Sequence, residues 1–282
     1  MRSSNPVFTR NDSFNGRSGA QAYPGYTDPS SWQTGTPNAG GHGAPPTSID
    51  QGRMTIDSVV QKTAFTLLMV VAGAVASWLV IGPMTTANPD SIQTAYMLAM
   101  GGALIGFGLA MANSFKKIIS PALVIAYALV EGVFVGAFSK VMTVYVGGDS
   151  SIVMQAVLGT MAAFAGTLTA YKVFDIKVTD KFRKRVTAAV FGFVALALLN
   201  FVLSFFDADF GFRNMGTFGL LVSVAAVVLG VFMLILDFDF VERGIAAGLP
   251  EVESWRAAFG LTVTLVWIYI EILRILAILR GD

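Results

Sequence analysis

Residues 218–243, FGLLVSVAAVVLGVFMLILDFDFVER, decide the fold. The stretch is apolar over about the 20 residues a helix needs to cross ~30 Å of hydrocarbon, yet it places Asp237 and Asp239 before the apolar run has clearly ended. A carboxylate at such depth costs roughly 3 kcal/mol even on lenient insertion scales, so it turns toward a partner, a watery cavity or an ion path. Other helices must therefore surround this one.

The composition agrees. Of 282 residues, 54% are hydrophobic and 13% charged, with a mean hydropathy of +0.65, where a soluble domain carries about 25% charged residues. Apolar runs extend from Ala64 to Ile81, Ala95 to Ala112, Ile118 to Ser139, Ile152 to Ala170, Val186 to Phe206, Phe218 to about Phe238, and Ala257 to Leu279. None alternates as the ~10-residue strands of an outer-membrane barrel do. The fold class expected is an all-α integral membrane protein: a seven-transmembrane-helix bundle over residues 58–282 behind a disordered N-terminal tail over residues 1–57. Pro83, Pro89 and Pro121 punctuate the early runs, and Pro250 suits the first turn of the last.

The tail is rich in Gly, Ser, Pro, Asn and Thr and cannot bury enough surface to offset its ordering entropy. Its aromatics (Phe8, Phe14, Tyr23, Tyr26, Trp32) are scattered, and its His42 sits among glycines as a spacer. It lacks the charged start, apolar centre and cleavage site of a secretory signal, so no removal is expected. Net charge is +1 and cysteine is absent. These exclude a global pull toward nucleic acid, disulfides and thiolate chemistry.

Basic residues divide unevenly between the two ends of the runs. One end takes Arg53, Lys62, Lys116, Lys117, Lys172, Lys177, Lys181, Arg183, Lys184, Arg185, Arg243 and Arg256; the other takes Lys140, Arg213 and Arg280. Twelve against three puts the N-terminus in the cytoplasm and the C-terminus outside a plasma (inner) membrane crossed several times. The six basic residues between the fourth and fifth runs are explained by that rule, though a lipid-headgroup patch would read the same way. Gly132 and Gly136, four apart, suit close helix packing, in a chain whose second run also holds Gly101, Gly102, Gly106 and Gly108. Asn200 suits an interhelical hydrogen bond.

Three acids lie within the spans: Glu131, Asp237 and Glu271. Asp237 and Asp239 are about 200° apart on a helix and cannot both face inward. Asp239 can pair with Arg243 at i+4, which makes it a structural acid, whereas Asp237 has no such local partner. Glu271 has Arg274 at i+3. Counted from the run ends, Glu131 and Glu271 fall at similar depth, and two neighbouring acids in low dielectric hold a proton or share a cation. The same count puts Asp237 roughly 2 Å and Glu271 roughly 21 Å from one hydrocarbon edge, too far for contact between straight helices.

The layout, with LDFDFVER closing run six, YIEILRIL in run seven and the Glu131-Gly132 pair in run three, resembles the Bax inhibitor-1 (transmembrane Bax-inhibitor-motif) family over about residues 60 to 280, in its bacterial branch. The resemblance implies a calcium leak in which acids of helices six and seven, here Asp237 and Glu271, sense pH. The family usually has Asp where this chain has Glu271, and the family's basic partner in helix two has no Lys or Arg counterpart here.

The leading expectation is a pH-sensitive leak channel for Ca2+, gated by protonation of Asp237 and Glu271, with Glu131 as an auxiliary acid and Asp239 and Arg274 in support. Asp237, Glu271 and Glu131 are the candidate metal ligands, since hard cations take oxygen donors. No permanent cofactor is expected; Ca2+ or H+ is the transported or sensed ion, and the partners are the lipid bilayer and cations. The second expectation is a regulatory protein modulating a membrane-anchored ATP-dependent protease, with the tail as handle. A proton-coupled transporter is weakened by the lack of an evident inverted repeat. Enzymatic function is not expected, because no facing aspartate pair and no membrane histidine is present.

Overall fold

The computed structural model describes residues 52–84, 89–204, 206 and 214–281. Its elements are α1 (Ile56–Ile81), α2 (Pro89–Phe115), α3 (Pro121–Tyr145), α4 (Ser151–Val173), α5 (Asp180–Ser204), α6 (Thr217–Ala246) and α7 (Glu253–Gly281). All seven are long and apolar enough to cross a membrane. Among the described residues no strand is present, only one isolated bridge between Arg53 and Pro250. Residues 1–51, including the tail aromatics and His42, and Arg213 lie outside the described residues.

Local chemistry sets the helix ends. Thr55 caps α1, its hydroxyl accepting from the Ser58 amide while the Ser58 hydroxyl accepts from the Thr55 amide, each at 3.1 Å; this capping box satisfies two orphan donors. Pro121 opens α3, where a missing N–H costs nothing. The Asn214 side chain accepts from Gly216 and Gly219 at the start of α6. Gly147 and Gly148 turn the chain from α3 into α4 with φ of 76° and 92°, a region that side chains with a Cβ rarely enter.

Small residues then fix the packing. The Gly132-Gly136 pair of α3 meets Val70, Gly73, Ala74 and Ser77 of α1 so closely that a Cβ on Gly73 or Gly132 would collide with the opposing backbone carbonyl. Backbone approach of this kind is how membrane helices gain dispersion contact without a hydrophobic drive. Gly102 and Gly106 similarly face Phe134 and Glu131 of α3, whereas Gly101 and Gly108 face open space. Helix α7 is enclosed by α1, α3, α4 and α6 and carries the buried residues Leu261, Leu265, Ile268 and Leu273. Helix α5 is its opposite: among its described residues Val186 alone is buried.

The division of charge is visible in the contacts. Lys62 of α1 bonds Glu251 at 2.8 Å, Arg256 of α7 reaches the carbonyls of Lys116 and Lys117, and Arg243 of α6 reaches the Val178 carbonyl. The basic segments therefore share one end of the bundle. At the other end Lys140 caps the Trp78 carbonyl at 3.1 Å and lies over its ring, and Arg280 meets Asp149.

Two boundaries differ from those expected of the sequence. Residues 52–57 are ordered: Met54 is 2% exposed, its amide donates to the Leu249 carbonyl at 2.8 Å, and the Glu251 amide donates to the Gly52 carbonyl at 2.6 Å. Pro250 belongs to the α6–α7 connection, where it bridges Arg53, and α7 begins at Glu253. Hydropathy marks the extent of hydrocarbon; the polar ends of α6 and α7 stay helical beyond it because their charges find partners.

Candidate functional site

The site grows from the end of α6. Asp237 is half-buried and turned toward α7, where its carboxylate accepts a hydrogen bond from the Thr264 hydroxyl at 2.6 Å beside Gly260. A side chain at position 260 would crowd that carboxylate: a Cβ there would lie 3.3 Å from Oδ1. Among the described residues no Lys or Arg comes within ion-pair reach of Asp237. The residue also lines an open cavity of about 540 Å³ at the basic end, together with Arg183, Thr187, Asp239, Arg243 and Leu249.

Asp239, two positions on, takes the other role expected of it. It is 6% exposed and accepts from Arg243 Nε at 2.9 Å and from Arg183 of α5 at 2.6 Å. Arg243 also donates to the Val178 carbonyl, so a single carboxylate ties α5, α6 and the α4–α5 connection together. Next to it the Tyr171 hydroxyl of α4 donates to Glu242 at 2.6 Å. Two arginines and two carboxylates, Asp237 and Asp239, line the cavity, and both arginines are engaged by Asp239.

Glu271 is placed differently. It is 3% exposed, as is Arg274, whose Nη1 lies 3.5 Å from Glu271 Oε2; Arg274 also donates to the Asn214 carbonyl at 3.3 Å. This is the i+3 ion pair that the spacing allowed. Relative to Thr264, the partner of Asp237, Glu271 is seven residues on, or about 10 Å along the axis. The structure does not bring Asp237 and Glu271 into contact, although α7 begins earlier than its apolar run. Helix α6 passes Asp237 at the level of Gly260 and Thr264, two turns short of Glu271.

Glu131 points into the α2 interface, its Oε2 against Gly106. Tyr127 packs edge-to-face with Phe259, ring centroids 5.0 Å apart, and Ser139 bonds Tyr269 at 2.7 Å, so the register of α3 on α7 sets Glu131 near residue 262. Glu131 and Glu271 are therefore not at similar depth. The difference arises because α7 extends further on the basic side than its hydropathy indicates, so counts from the run ends were offset. Among the described residues no three acidic or histidine side chains gather closely enough to hold a metal ion, and Asp237, Glu271 and Glu131 stand apart.

The register also exposes a polar layer that the acids alone did not reveal. Level with Glu131 and Asp237, Thr66 of α1 bonds Thr262 of α7 at 2.8 Å, both fully buried. Carboxyl and hydroxyl groups thus cross the bundle from α2–α3 through α1–α7 to α6. Thr262 and Thr264 within an otherwise apolar run were the sequence signal for it. Arg183 carried no such signal, being one of six basic residues already explained by topology. Among the described residues, the side-chain carbonyl oxygen of Asn200 has no hydrogen-bond partner.

Against known proteins, a model of the family described as Bax inhibitor 1 like matches residues 5–281, nearly the whole chain. The chain belongs to that family. None of the curated proteins compared with it matches.

Proposed function

We propose that this member of the Bax inhibitor 1 like family is a pH-sensitive leak for cations, Ca2+ foremost, in a bacterial plasma membrane, with its basic end in the cytoplasm. The observation that carries the proposal is Asp237: a carboxylate on the inner side of α6, held by one hydroxyl, out of reach of any described basic side chain, and opening on a cavity. A carboxylate so placed exchanges a proton for a cation more readily than one locked to arginine, because no described basic side chain is within ion-pair reach of it. Asp239 and its two arginines form the cavity wall on the α5 side, and their parting would widen the opening at Asp237. Glu271 acts at the other end of the path: its pair with Arg274 closes the far half of α7 until the acid is protonated or the pair separates.

Calcium efflux from vesicles containing the purified protein, stepped through pH, tests this. Asp237→Asn is expected to remove most of the pH dependence and Glu271→Gln to alter the closed-state leak. Flux unchanged in rate and pH profile by both would sink the channel role.

A second role is favoured by the strap at residues 52–55. Through Met54 and the Arg53–Pro250 bridge it fastens the N-terminal segment to the α6–α7 connection, whose Leu249 lines the Asp237 cavity. A partner that grips the segment, such as a membrane-anchored protease, would act on the cavity mechanically. Deleting residues 1–51 is expected to leave flux intact and abolish regulation by such a partner; loss of flux itself would count against a separate interaction role.

A further inference from the structure

We infer that the lipid-facing groove between α5 and α6 is a binding site for an anionic phospholipid, with the phosphate on Lys181 and Arg185 and one acyl chain laid between the helices. The site is separate from the Asp237 cavity and does not depend on the leak function. Helix α5 leans on α6 through Phe182 against Phe232, ring centroids 5.7 Å apart, and on α7 through Phe193 against Trp267 at 4.8 Å. Between these ring contacts the backbones do not close. A groove of about 640 Å³ remains, floored by small residues that include Ala189, Gly192 and Ala225. A Cβ added at Gly192 would meet nothing within 4 Å, so the space is open to the membrane.

Length and charge identify the occupant. From Phe182 to Leu196 the groove follows α5 for about 21 Å at 1.5 Å per residue. That covers the ~15 Å depth of one leaflet, starting at the basic end, and fits an acyl chain lying along the helix. At the mouth, Lys181, Lys184 and Arg185 are exposed, and among the described residues no carboxylate lies within 4 Å of any of them. Their neighbour Arg183 is committed to Asp239, and Asp180, in the first turn, is the one acid of the helix. Lys181 and Arg185 are four apart and share a face. Arg185 lines the groove itself, with a fork that matches phosphate oxygens. Basic residues set above an apolar interhelical groove are the arrangement that holds an anionic headgroup at the membrane surface. A second copy of the chain fits less well. Two copies in one bilayer share their orientation, so a two-fold contact through α5 would set these cations against their own counterparts.

The test is lipid retention by the full chain, extracted from vesicles of phosphatidylglycerol and phosphatidylcholine and measured by native mass spectrometry. The wild type is expected to retain phosphatidylglycerol in preference. Lys181→Gln with Arg185→Gln is expected to cut that preference roughly tenfold or more. Gly192→Leu, whose side chain enters empty space and leaves the helix contacts alone, is expected to reduce retention of both lipids at unchanged Tm. Equal retention of the two lipids by the wild type overturns the site, as does a preference that survives the charge change. The chain has no cysteine, so Ala189→Cys reports on the alternative occupant: disulfide-linked pairs in the vesicle with lipid excluded also overturn it.

Discussion

The two halves of the α6–α7 contact treat their acids in opposite ways. In the half near the basic end, Asp237 faces a hydroxyl and an open cavity; in the far half, Glu271 is sealed beside Arg274 on its own helix. Both began as the same sequence signal, an acid inside a span. One solution satisfies the carboxylate with its own counter-charge and excludes water, and the other leaves the counter-charge to be supplied from outside. The proposed leak rests on the second kind, because a carboxylate without its own counter-charge is the one at which a proton and a metal ion can compete for the same oxygens.

The largest effect that separates the halves is on stability. Glu271→Gln removes the carboxylate that neutralises the Arg274 guanidinium at 3% exposure, and loss of one member of a buried pair costs about 3–5 kcal/mol. A clear fall in Tm in detergent is expected, largely restored by Glu271→Gln with Arg274→Met, since an apolar replacement of both members is close to neutral. A single variant as stable as the wild type would mean that the far half is not sealed, and the contrast would fail.

Next comes Asp239→Asn, in the near half. It removes a carboxylate accepting from two half-exposed arginines, with an expected cost of about 1–2 kcal/mol after allowance for solvent screening. Because the same change frees α5 from α6, calcium efflux is expected to rise. Lower efflux at this modest cost would show that the arginine cluster lies outside the path.

Asp237→Asn should hardly change stability, by less than about 1 kcal/mol, because the amide oxygen still accepts from Thr264 and the volume is kept. Its effect is expected in the pH profile of flux instead. The two acids thus predict opposite pairings of stability and activity, and a matched pair of variants measured both ways would establish or dissolve the distinction.

Most of the frame was legible in the sequence. Seven apolar runs gave seven helices, and the spacing of Gly132 and Gly136 gave a close helix contact without naming its partner, because hydrophobic length and side-chain volume are local properties. The pairs Asp239–Arg243 and Glu271–Arg274 followed from helical spacing alone. What spacing could not give was register between helices. Whether Asp237 meets Thr264 or Glu271 depends on how far each helix continues past its hydrocarbon segment. That is set by polar partners such as Arg183, Lys62 and the Gly52–Thr55 strap, which carry no periodic signal.

The smallest expected effect tests whether burial, and not the mere presence of an arginine, separates the halves. Asp149, at the exposed far end, meets Arg280 of the same α7 that carries the Glu271 pair. Hydrogen bonds from the Ser151 hydroxyl and amide, with the Arg280 charge adding to them, hold its carboxyl below the usual carboxylate range. A group with a folded pKa below its unfolded one stabilises the fold above the unfolded value and loses that contribution as pH falls through the folded one. The Tm advantage of the wild type over Asp149→Asn should therefore be small at neutral pH and shrink toward zero on acidification below about pH 4. The Glu271→Gln deficit should far exceed it at neutral pH, because water and salt screen the exposed pair and are excluded from the buried one. Comparable losses from the two substitutions at neutral pH would mean that water reaches Glu271 as freely as it reaches Asp149, and the gate would have to be sought at both ends of the path.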